Sequence, residues 1–70
     1  MNKEFVSKDE NGVLRCYGIG ETRQTAMSEC IAASKSYLKT RPDIKVLYLF
    51  DNYDKPVIDP AQWSQWEIKL

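Results

Sequence analysis

The sequence predicts a small α+β fold, an antiparallel-rich sheet of about four strands with one helix packed on one face, in the order β-β-α-β-β. Three observations predict it. An Asn11-Gly12 turn separates two short β-rich runs, the form of a hairpin. A single helix-period stripe follows, running from Arg23 to about Lys39. The run Ile44-Lys-Val-Leu-Tyr-Leu-Phe50 is then too short and too β-branched and aromatic for a helix.

The elements follow in order. Lys3 to Lys8 has Phe5 and Val6 as its apolar residues and reads as a weak edge strand. Asp9-Glu10-Asn11-Gly12 supplies the turn, and Val13 to Ile19 the second strand, interrupted by Gly18. Thr22 is a good N-cap for the helix. Its apolar stripe is Ala26, Met27, Cys30, Ile31, Ala33, Tyr37 and Leu38. Thr40-Arg41-Pro42 ends it, because the residue before a proline avoids the α region. After the strand Ile44 to Phe50, Asp51 to Pro56 reads as a polar loop, and Val57-Ile58 as resumed pairing. Asp59-Pro60 opens a short helical turn through about Trp63. Ser64 to Leu70 alternates as a last strand.

Seventy residues make one domain, 1–70. A chain this short buries only roughly 60% of its unfolded surface. Ten basic and ten acidic residues balance, which argues against a dedicated nucleic-acid or membrane-surface protein. No apolar run approaches the roughly 20 residues of a membrane span. The opening Met-Asn-Lys-Glu has no apolar h-region, so the expected compartment is cytoplasmic, with reduced thiols. With no His and no C-x-x-C pair, no metal and no cofactor is expected. Asp51, Asp54 and Asp59 fit no calcium-loop pattern and read as solvated turn and cap residues. They lack a companion His or nucleophile, so the chain is expected not to be an enzyme. Cys16 and Cys30 read as small core residues.

The strand Ile44 to Phe50 is apolar on both faces, and one helix covers only one. Small residues at Cys16 and Gly18 suit a close helix, so Leu14, Cys16, Leu47 and Leu49 are expected to face it. The open face would carry Tyr17, Tyr48 and Phe50, covered by Trp63 or Trp66 or by a partner. The leading expectation is a non-catalytic protein-binding module, a small accessory regulator or inhibitor of a larger protein. Its anchors would be Tyr17, Tyr48, Phe50, Tyr53, Trp63 and Trp66, with the acidic loop residues Asp51 and Asp54. A homodimer through open faces or edge strands is a further expectation.

Gly18-Ile19-Gly20 also suits a phosphate-binding turn, but Arg23 stands where a dinucleotide fingerprint needs a third Gly. Gly18, Gly20, Thr22, Arg23 and Ala26 together resemble the G-x-G-x-[ST] turn and helix start of double-stranded RNA-binding domains. The resemblance spans about twenty residues and implies a helix docked on a sheet with phosphate-gripping basic residues. Gln24 and Met27 replace two of the three basic residues of that pattern, and the leading helix of the family is missing. The alternative expectation is therefore nucleic-acid binding, through the aromatic face or through Arg23, Lys35, Lys39 and Arg41.

Overall fold

A computed structural model of the chain describes residues 3–51, 55–56 and 67–70. It holds β1 (Lys3–Lys8), β2 (Leu14–Gly20), α1 (Arg23–Thr40), β3 (Leu47–Asp51), β4 (Lys55–Pro56) and β5 (Glu67–Ile68). All pairings are antiparallel, in the order β2-β1-β3-β4, with β5 also on β3. Tyr48 pairs with Lys8 on one side and Glu67 on the other; Phe50 pairs with Val6 and with Pro56. β4 and β5 therefore share the far edge of β3. The α+β class agrees with the sequence reading, and among the described residues there is one helix, where it was expected.

The expected place of β1 at the sheet edge is overturned. β1 is an inner strand, hydrogen-bonded to β2 and to β3, and among the described residues β2 stands at the edge. Phe5, Val6 and Ser7 are fully buried, as an inner position demands. Lys3 and Lys8 gave β1 an edge-like polarity, yet they stand at its two ends. Lys8 lays its ammonium 4.5 Å from the centre of the Phe50 ring, so its charge meets the electron-rich face. Boundaries also move. β2 runs Leu14–Gly20 and not Val13 to Ile19, β3 starts at Leu47 and not at Ile44, Lys69 and Leu70 lie beyond β5, and Pro56, expected in a loop, pairs with Phe50. Proline is tolerated there because β4 has only one strand neighbour among the described residues. The expected pairing of Val57-Ile58 and the helical turn Asp59 to Trp63 lie outside the described residues.

The first hairpin is built on Asp9. Its backbone carbonyl accepts from Gly12 (3.0 Å), and its Oδ1 accepts the N–H groups of Asn11 (2.9 Å) and Val13 (3.0 Å). Gly12 takes φ 78°, which a side chain would resist. Oδ2 accepts from Arg15 Nε and pairs with its Nη2, both at 2.9 Å. The Val13 N–H does most to hold the Asp9 carboxyl below its ordinary value, helped by Arg15 and the Asn11 N–H, while burial opposes them. A carboxyl depressed in the folded state stabilises the fold above the unfolded value of about 3.9 and loses that contribution as pH falls through the folded value. Asp9→Asn is thus expected to make acid unfolding, followed by circular dichroism below about pH 4, shallower than in the parent. Equal slopes would show that this clasp does not tie folding to pH.

The helix starts where Thr22 Oγ1 accepts the Thr25 N–H (3.1 Å) and ends just before Pro42. Its buried line is Ala26, Cys30, Ser34 and Leu38, one residue every turn, with Met27, Ile31 and Tyr37 packed beside it. Ala33, expected in the core, is exposed, and Ser34 is buried instead. Ser34 donates its one proton to the Cys30 carbonyl (2.7 Å), so the Ser7 hydroxyl donates to Ser34 across 2.7 Å. This satisfied pair lets two polar side chains sit at the helix–sheet seam. Around it Phe5, Leu47, Leu49 and Ile68 complete the core.

Candidate functional site

Strand pairing sorts the side chains onto two faces. Phe5, Ser7, Cys16, Gly18, Leu47 and Leu49 share the helix side, as expected of the last four. Cys16 Sγ lies 3.8 Å from the Ala33 carbonyl. Leu14 departs from expectation. A register shift between Ser7 and Lys8 pairs it with Lys8 on the opposite face, where it is 42% exposed. Arg15, across the shift, turns to the helix side, and its Nη1 reaches the Tyr37 hydroxyl at 3.4 Å. A bulge adds one residue to one strand and so reverses which side chain meets the core.

On the open face, Tyr17, Val6 and Phe50 form one row across three strands, and Leu14, Lys8 and Tyr48 the next. The expected aromatics do share this face, but they differ in exposure. Tyr17 is 58% exposed, whereas Tyr48 and Phe50 are half-buried and Val6 between them is fully buried. The middle of the face is closed to solvent. Burial, with Glu67 beside it, pushes the Tyr48 hydroxyl above its ordinary value. Among the described residues exposed apolar surface concentrates on and just before β2: Val13, Leu14, Tyr17 and Ile19. Val13, Leu14 and Ile19 were not among the expected anchors. Their signal in the sequence was the lack of polar alternation from Val13 to Ile19. Tyr53, Asp54, Trp63 and Trp66 lie outside the described residues.

The charged candidates are spread apart. Arg23 Nη1 pairs with Asp51 Oδ2, and its guanidinium lies 5.2 Å from the centre of the Phe5 ring. Asp51 is thereby neutralised within the domain and does not stand alone as acidic surface. Arg41 holds Asp43 with two parallel bonds of 3.1 Å and donates to the Tyr37 hydroxyl at 2.9 Å. Lys35 and Lys39 are exposed on the second half of α1. Lys39 also rims a shallow apolar hollow of about 440 Å³ floored by Leu38, Ile44 and Leu70, with Lys45 and Lys69 beside it. A smaller cleft of about 190 Å³ lies between the first hairpin turn and residues 43–46 and contains the Asp9–Arg15 pair. That is below the roughly 300–1,000 Å³ of small-molecule sites.

Among the described residues no three His, Cys, Asp or Glu side chains converge to hold a metal, and no helix is long and apolar enough to cross a membrane. Both cysteines are free. Burial pushes the Cys30 thiol up to about 11, despite the Ser34 and Ser7 hydroxyls. A chromogenic thiol reagent is expected to modify Cys16 in the native chain and to reach Cys30 only on unfolding. Rapid reaction at Cys30 in the native state would mean the helix is not seated. Comparison with protein-family models, curated proteins and solved structures returns no match.

Proposed function

We propose that this domain is a non-catalytic protein-binding module, an accessory regulator or inhibitor of a larger protein, whose contact surface is the sheet face along β2. One observation carries this reading. Among the described residues five large apolar side chains are exposed, and four of them, Val13, Leu14, Tyr17 and Ile19, lie on or just before this one strand. Exposed apolar residues scattered singly need no explanation, but a contiguous group marks a surface that another molecule covers. Tyrosine at its centre is a typical anchor, with a large apolar ring and a polar tip. The pairing of Arg23 with Asp51 and of Arg41 with Asp43 weighs against phosphate binding by those residues.

The test compares the parent chain with Tyr17→Ser/Ile19→Ser as baits in lysate of the source cell, with and without nuclease. Tyr17 is 58% and Ile19 43% exposed, so the double variant should stay folded, at a cost of about 1–2 kcal/mol. A protein captured in stoichiometric amount by the parent, surviving nuclease and lost with the variant, supports the reading. Capture that vanishes with nuclease, or that the variant retains, overturns it.

A further inference from the structure

We propose that the partner of the β2 face is basic: an apolar anchor that docks among Leu14, Tyr17 and Ile19, flanked on either side by lysine or arginine. This names the partner's chemistry and rests on the reading of β2 as the contact surface. The charges around the patch carry it. Arg15, the one charged residue within β2, is turned to the helix side, where it holds Asp9 and reaches Tyr37. Lys8, paired with Leu14, lays its ammonium on the Phe50 ring of β3, across β1 from β2. The cations nearest the patch are thus drawn away from it.

The carboxylates remain. Glu10 in the hairpin turn and Glu21 just past Gly20 stand at the two ends of the strand, both exposed. Among the described residues neither belongs to an ion pair. Burial, Glu67 and Glu10 together hold the Tyr48 hydroxyl above its ordinary value, which puts the Glu10 carboxylate within electrostatic reach of the open face. Glu4 pairs with Ile19 and so shares that face. Four exposed apolar side chains with carboxylates at both ends present a negative field to whatever approaches. Opposite charge steers and registers a partner there, and like charge repels, so a phosphate-bearing or acidic partner is disfavoured. The whole chain is neutral, so the preference is local to this patch. Between Glu10 and Glu21 the seven residues of β2 span about 23 Å. An amphipathic helix of about sixteen residues matches that length.

NMR titration of the full chain with two synthetic amphipathic helices of that length tests the proposal. One is built of leucine and lysine, the other of leucine and glutamate. At low salt the lysine peptide should bind about tenfold more tightly, shift residues 13–21 most, and lose its advantage as salt rises to about 0.5 M. Glu10→Lys/Glu21→Lys alters two exposed side chains and should reverse the preference between the peptides. Tyr17→Ser/Ile19→Ser should weaken both. Equal binding of the two peptides at β2, released by Tyr17→Ser/Ile19→Ser, would overturn the basic partner and leave the contact surface standing. Binding away from β2, no binding, or a preference that Glu10→Lys/Glu21→Lys leaves unchanged would also overturn it, and the lysate capture judges the surface separately.

Discussion

Phe5→Ala is expected to cost about 3–5 kcal/mol of folding free energy. A domain of this length has roughly 4–10 kcal/mol in total, so much of that would be gone. Phe5 is fully buried at the middle of the sheet, opposite Gly18 on one side and Asp51 on the other. Gly18, opposite it, lets the helix backbone come close, and Ala26, Cys30 and Leu38 of the helix belong to the same core. Removing the ring loses its transfer free energy and leaves a cavity that strands paired on both sides cannot easily collapse. Arg23 also loses the ring beneath it. Urea unfolding should show a much lower midpoint with an unchanged slope. Phe5→Leu keeps most of the volume and should cost less than about 1.5 kcal/mol. A loss below about 1 kcal/mol for Phe5→Ala would mean that β1 is not the inner strand.

Gly18→Ala is the second large effect, expected at about 1–3 kcal/mol or more, although it adds only a methyl group. A Cβ at this position would lie 2.6 Å from the Ala26 carbonyl oxygen and 2.8 Å from Cys30 Cα, and closer still to the Cys30 nitrogen. All three are backbone atoms of the helix, so no side chain can rotate away and the helix itself must lift. Gly12→Ala is the useful contrast. Nothing lies within 4 Å of a Cβ there, and its cost is only the φ 78° backbone, about 1–2 kcal/mol. Lifting the helix should also expose Cys30, so Gly18→Ala should speed modification of that thiol while Gly12→Ala leaves it slow. A neutral Gly18→Ala would show that the helix does not rest on β2.

The reading of Gly18 and Cys16 as the helix seat came from their size alone, and the close approach of Ala26 and Cys30 bears it out. The Thr22 cap, the stop before Pro42 and the Gly12 turn were equally legible, because each depends on atoms within about four residues. The candidate surface was legible only in part. Tyr17 does lie exposed on the open face, but Tyr48 and Phe50 beside it are half-buried. Ser34 was left out of the buried stripe because its polarity was visible and its partner, Ser7, twenty-seven positions away, was not. Arg23 looked free for phosphate for the same reason, with Asp51 twenty-eight positions off.

Local chemistry in the chain was enough to settle the α+β class, the extent of the helix and the position of the first turn. Strand order, the inner place of β1 and the exposed edge of β2 were decided by the folded structure alone. Strands pair through backbone N–H and C=O groups that are alike in every residue but proline. Side chains therefore say that a segment is extended, while its neighbours are chosen by how the whole sheet packs beneath the helix.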